Sequence, residues 1–174
     1  MGADTTTSPR PDLRFLFAHP AHLVALGFGA GLAPKAPGTF GTLAGLALYW
    51  ILAPLLPPLA IAFLAIPLFF VGVWVCGITG RDLGVADHGA IVFDEMVAFL
   101  PLAAISSAAW WLQAIAFVLF RLFDIWKPYP IRDLERQVKG GWGVMIDDIV
   151  AGFYAYVVFA LFIIVVYKGF GYAG

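Results

Sequence analysis

Cysteine is almost missing from this chain of 174 residues: Cys76 stands alone in an apolar run. A single thiol excludes an intrachain disulfide and leaves no thiolate set for a metal. Charge is scarce, at 12% of residues against about 25% in an average soluble domain. Histidine is limited to His19, His22 and His88. The net charge of −1 carries no signal of a nucleic-acid partner, and none is expected. The opening MGADTTTSPRPDLR lacks the basic-then-apolar order of a signal peptide. No repeat of fixed period and no low-complexity tract is visible.

What fills the chain instead is apolar side chain, 62% of residues with a mean hydropathy of +0.92. A soluble domain of this length leaves too much surface wet to hide that excess. The expectation is an all-α, polytopic membrane helix bundle: an arm over 1–18, one membrane-embedded domain over 19–168 and a tail over 169–174. Within His19–Ala33 the run LVALGFGAGLA is too short to cross about 30 Å of hydrocarbon. Its glycines point to a re-entrant or interfacial segment, with a loosely packed helix as the alternative. Spanning runs follow near 39–56, 59–79, 91–105, 112–126 and 149–167. Pro57-Pro58 ends the first, and Pro67 is tolerable inside the second. A reversal at Ser106-Ser107 separates the third from the fourth, because about 36 residues in one helix would outrun the bilayer.

Five crossings place Arg10, Arg14, Lys35, Arg81, Arg121, Lys127, Arg132, Arg136 and Lys139 on or just inside one face. Only Lys168 falls on the other, and every acid joins the first face. The turns Leu56-Pro57-Pro58 and Ser106-Ser107 are uncharged. The basic bias assigns the charged face to the cytoplasm. A polar loop between 127 and 148 lies there.

Carboxylates near lipid depth are costly unless paired, wet or metal-bound, which makes them functional candidates. Asp94, Glu95, Asp124, Asp147 and Asp148 supply the oxygen ligands that Mg²⁺ prefers. Lys35, Arg121, Lys127 and Arg132 supply phosphate clamps. The glycine-rich turns GTFGT, with Thr39, and GGWG can present backbone N–H groups to an anion. That inventory suits phosphoryl transfer. Blander roles stand beside it. Arg121–Asp124, spaced i, i+3, reads equally as a structural ion pair. Asp147 reads equally as the N-cap of the last helix. Asp94 and Glu95 point about 100° apart on a helix, so one of them is expected to serve elsewhere. Asp133, Glu135 and Arg136 suit a solvated face, His19 and His22 an interface, and Lys139 a helix end. His88 is a proton donor or a loop hydrogen-bonder.

Four stretches, GFGAGLAPKAPGTFGTLAG (27–45), DLGVADHGAIVFDE (82–95), FRLFDIWKPYPIR (120–132) and GGWGVMIDDIVAG (140–152), occur in one order along the chain. Together they resemble the phosphatidylglycerophosphatase A family. The resemblance implies Mg²⁺-dependent hydrolysis of phosphatidylglycerol phosphate to phosphatidylglycerol and inorganic phosphate. It also implies a multi-pass protein of the bacterial cytoplasmic membrane with its site facing the cytoplasm. Carried onto this sequence, the catalytic positions are Asp94, Glu95, Asp124, Asp148 and Lys127. The metal positions are Glu95, Asp124, Asp147 and Asp148. The substrate positions are Lys35, Arg121, Lys127 and Arg132; beside the resemblance, Thr39 of the GTFGT turn is a further substrate candidate and His88 a further candidate acid or base. The oligomeric state stays open. Rival readings are a small transporter or channel with an intramembrane charge network, and a non-catalytic lipid head-group binder.

Overall fold

Proline and glycine punctuate the chain into helices. The structure, a computed structural model, describes residues 10–106 and 109–169, and every regular element among them is helical. In order these are α1 (Leu13–Ala18), α2 (Pro20–Ala25), a 3-10 turn (Gly27–Leu32), α3 (Pro37–Leu52), α4 (Pro58–Leu83), α5 (Phe93–Ile105), α6 (Trp110–Trp126), α7 (Ile131–Gln137) and α8 (Gly141–Gly169). Pro20, Pro37 and Pro58 open their helices, where a missing N–H costs nothing. Gly84 closes α4 in the left-handed region at φ 72°.

The hub is α5, in which every residue from Phe93 to Ala104 except Pro101 is buried. Helices α3, α4, α6 and α8 pack around it. Small residues bring the backbones close. A Cβ on Gly45 of α3 would stand 2.9 Å from the Met96 carbonyl, and one on Gly152 of α8 would stand 3.0 Å from the Ala98 carbonyl. Larger residues at either position would push a neighbour off the hub.

Helices α4 and α8 are long and apolar enough to cross a membrane. Only 28% and 22% of their most apolar windows are buried, unlike the core helices of a soluble domain. Phe63, Phe70 and Trp74 on α4, and Phe153 and Leu161 on α8, point outward. Helices α3, α5 and α6 have 16, 13 and 17 residues. At 1.5 Å per residue they reach roughly 20–26 Å.

Several boundaries differ from the sequence expectation. Helix α4 runs on to Leu83, so Arg81 and Asp82 sit in its last turn. The last helix starts at Gly141 rather than near Ile149, which puts Asp147 in the second turn and removes the N-cap role. An apolar-run criterion stops at buried acids, so it cut the helix short at its functional end. Residues 13–18 of the expected arm form α1, capped by Asp12, whose carboxylate accepts from the Phe15 N–H at 2.8 Å. His22, expected at an interface, is buried. Its ring stacks on Phe15 at 4.0 Å and bonds the Phe15 carbonyl through Nδ1 and Asp82 Oδ2 through Nε2. It ties the N-terminal helices to the end of α4. The rest of the arm before Arg10, Ser107 of the reversal, the tail beyond 169, and the side chains of Glu135, Arg136 and Lys168 lie outside the described residues.

Candidate active site

Local structure delivers five acids to one end of the bundle. The Val92 N–H donates to the Ala25 carbonyl at 2.9 Å, which fixes the entry to α5. Asp94 and Glu95 follow in the first turn of α5. The positive pole of that helix favours negative charge there, by about 0.3–1 kcal/mol per group. Arg121 and Asp124 share a face in the last turns of α6, which ends at Lys127 in the left-handed region, before Pro128. Asp147 and Asp148 come from the second turn of α8.

Arg121 Nη1 lies 2.6 Å from Asp124 Oδ2 and 3.7 Å from Glu95 Oε1. It also donates to Thr42 Oγ1 at 3.4 Å, and the Thr42 hydroxyl donates to the Gly38 carbonyl at 3.0 Å. One guanidinium thereby joins α3, α5 and α6. Lys127 Nζ donates to Asp147 Oδ2 at 2.9 Å, joining the end of α6 to α8. All five carboxylates are buried, each 9% exposed or less. Asp94, Glu95 and Asp148 each offer an oxygen within 4.8 Å of the other two. The adjacent pair Asp94 and Glu95 therefore serves one centre after all.

Two cations face five carboxylates. Burying an ionised carboxylate costs several kcal/mol unless something compensates it. Asp94 Oδ1, Glu95 Oε2, Asp147 Oδ1 and Asp148 Oδ2 are buried with no hydrogen-bond partner. Three of these orphaned oxygens belong to the Asp94–Glu95–Asp148 group. Hard oxygen donors, close together and uncompensated, fit a divalent cation such as Mg²⁺.

The other expected residues occupy loops and helix starts. Lys35 is exposed in the bend before α3, and Thr39 is half-buried in its first turn. Arg132 is exposed and donates through Nη2 to the Trp126 carbonyl at 3.1 Å, closing the end of α6. His88 Nδ1 accepts from the Ala90 N–H at 3.1 Å within the α4–α5 loop. Partial burial lowers the His88 pKa from its ordinary value, against the opposing charge of Asp87.

Sequence reading placed Gly38, Gly41 and Thr42 in an anion-binding turn and missed that they pack inside α3 against Glu95 and Arg121. A Cβ on Gly38 would collide with Glu95 Oε1, and one on Gly41 would stand 3.3 Å from Glu95 Oε2. Gly38, Gly41, Thr42 and Gly45 recur at helical spacing on the buried face of α3. That spacing was the available signal, but the glycine content of GTFGT reads as a turn.

Comparisons with known proteins agree along most of the chain. The model of the family described as phosphatidylglycerophosphatase A matches residues 23–163. The chain is 45% identical to phosphatidylglycerophosphatase A of Escherichia coli, over 80% of this chain and 81% of that one. It is 47% identical to phosphatidylglycerophosphatase A of Haemophilus influenzae, over 87% and 94%. A Bacteroides thetaiotaomicron protein named as a candidate phosphatidylinositol-3-phosphatase is 39% identical over 80% and 91%. No solved structure matches.

Proposed function

The chain belongs to the phosphatidylglycerophosphatase A family, and from that premise we propose how its carboxylate centre acts. The enzyme dephosphorylates phosphatidylglycerol phosphate to phosphatidylglycerol in phospholipid synthesis. The observation that carries the mechanism is the set of orphaned buried oxygens on Asp94, Glu95 and Asp148.

Asp94, Glu95 and Asp148 would hold Mg²⁺, with Asp124 and Asp147 beside them. When bound, such an ion draws charge from phosphate oxygens and lowers the pKa of a coordinated water. The protein's own groups do the rest. Arg121 holds Asp124 and Glu95 in place and offers its remaining N–H groups to the phosphoryl oxygens. Lys127, fixed by Asp147, adds positive charge where negative charge grows in the transition state. A water oxygen bonds to phosphorus as the bond to the glycerol oxygen breaks; the attacking water releases a proton to solvent water and the leaving alkoxide takes one up from it. His88 serves to hold the α4–α5 loop. Lys35, Thr39 and Arg132 act further out, on the approaching head group.

We place the chain in the bacterial cytoplasmic membrane with crossings by α3, α4, α5, α6 and α8. The outward apolar faces of α4 and α8 support this, as does the gathering of acids at one end of the bundle. That end would face the cytoplasm. The substrate's acyl chains then stay in lipid while its terminal phosphomonoester enters the carboxylate centre.

Phosphate release by the purified protein tests the reading. Phosphatidylglycerol phosphate should be hydrolysed faster than phosphatidylinositol 3-phosphate, and only with a divalent ion present. A preference for the inositol lipid would transfer the assignment to the other head group.

A further inference from the structure

The N-terminal helices are apolar on two sides. Phe15 and Leu16 of α1 turn inward: Leu16 packs with Leu26 and Ala90 in a small core, and Phe15 stacks on His22. Leu13 and Phe17, at i, i+4 and so on one face of α1, turn outward at 64% and 71% exposed. Phe28 of the 3-10 turn is 65% exposed and held at φ 55°, a left-handed conformation that a bulky side chain rarely adopts. These side chains do not sit on a loose arm. The bonds from His22 to the Phe15 carbonyl and to Asp82 fasten α1 and α2 to the end of α4. The Ala25 carbonyl accepts the Val92 N–H, which fastens α2 to the entry of α5. A fixed and exposed apolar face marks an interaction surface.

Its position says what covers it. Over its final turns α4 passes from an outward Trp74 to an exposed Arg81 and Asp82. That is the change from hydrocarbon to water expected where a spanning helix leaves a bilayer. Helix α2 lies along this same stretch: Ala21 and Ala25 share an apolar cluster with Val75 and Cys76, and His22 meets Asp82. Charge points the same way. From residue 10 to residue 40 the chain carries Arg10, Arg14 and Lys35, all exposed, against one acid, Asp12. The Asp12 carboxylate is engaged in capping α1. Basic side chains flanking outward apolar ones suit a segment that lies in an anionic lipid interface, and the cytoplasmic leaflet is the anionic one.

We propose that α1 and the 3-10 turn form an interfacial foot. Leu13, Phe17 and Phe28 enter the acyl boundary of the cytoplasmic leaflet, and Arg10 and Arg14 meet anionic lipid head groups. The inference rests on the membrane placement above. The foot sets the depth of the bundle from its cytoplasmic end. Through Ala25 and Val92 it also sets the depth of Asp94 and Glu95 relative to the head groups.

The test uses the full-length protein in vesicles of phosphatidylethanolamine and phosphatidylglycerol, with the buried Cys76 replaced by Ala. A nitroxide is attached at Leu13→Cys, Phe17→Cys or Phe28→Cys. Its collisions with oxygen, which concentrates in lipid, are compared with its collisions with a neutral, water-soluble nickel chelate. Phe63→Cys on the outer face of α4 and Ala86→Cys in the exposed α4–α5 loop give the lipid and water references. The three foot labels should meet the chelate several-fold less often than the Ala86 label does, at depths shallower than the Phe63 label. Arg10→Gln combined with Arg14→Gln should raise chelate access at Phe17→Cys, and should do so less in vesicles of phosphatidylcholine alone. Chelate access at Leu13 and Phe17 equal to that at Ala86 would overturn the foot. So would dipolar broadening that vanishes on dilution with unlabelled protein, the sign of a second copy on this face. An arginine effect that is absent, or equal in both lipids, would overturn the head-group contacts. A Phe63 label open to the chelate would remove the membrane placement itself, and the foot with it.

Discussion

Gly38 leaves the space that Glu95 fills. Any Cβ at position 38 would overlap Glu95 Oε1 and stand 3.0 Å from both terminal nitrogens of Arg121. The first turn of α3 is thus the back wall of the carboxylate centre. Gly38→Ala must displace Glu95 or Arg121, and a shift near 1 Å at a reacting site can cost on the order of 100-fold. The expected result is a large loss of kcat with unchanged helical circular dichroism. Thr42→Val removes the 3.4 Å contact to Arg121 and the bond to the Gly38 carbonyl but adds no atom against Glu95, and should cost less.

Lys127 and Asp147 form a mostly buried pair at 2.9 Å. Removing either partner alone breaks this pair and takes one opposite charge away from the other. Lys127→Met and Asp147→Asn should each destabilise the protein, and the double variant should lose less than the sum. Thermal unfolding in detergent across all four proteins measures the coupling, expected at about 0.5–3 kcal/mol. Strict additivity would mean that the pair contributes nothing as a pair.

Burial lowers the His88 pKa, and its neutral ring accepts the Ala90 N–H. Because the folded value is depressed, this contribution is present above the unfolded value of about 6.5 and is lost as pH falls through the folded value. Amide exchange in the 84–90 loop should therefore quicken on acidification. His88→Asn keeps an acceptor without titrating and should flatten that dependence. Loss of the alkaline limb of the kcat profile in this variant would instead make His88 the proton donor.

The acids of the candidate site, with Arg121 and Lys127, stood out in the sequence because charge is rare in this chain and gathers in a few short stretches. Arg121 and Asp124 were paired from their spacing alone, and the structure joins them at 2.6 Å. The helical start at Gly141 was not legible, since Asp147 and Asp148 interrupt the apolar pattern used to find a helix. The packing role of Gly38 and Gly41 was hidden for the opposite reason. Glycine suggests a turn, yet here it serves close packing inside α3. The burial of His22 depends on Asp82, 60 residues further along the chain, and local composition carries no trace of such a contact.

The orphaned oxygens of Asp94, Glu95 and Asp148 are where a divalent cation would fit, and binding of a paramagnetic stand-in ion tests for it without relying on turnover. Mn²⁺ binding to the purified protein, followed by electron paramagnetic resonance and competed with Mg²⁺, should show a saturable site. Glu95→Gln and Asp148→Asn should weaken it by on the order of 100-fold and abolish phosphate release in parallel. Unchanged Mn²⁺ affinity in both variants, or full phosphate release after complete removal of divalent ions, would contradict a metal centre at these carboxylates.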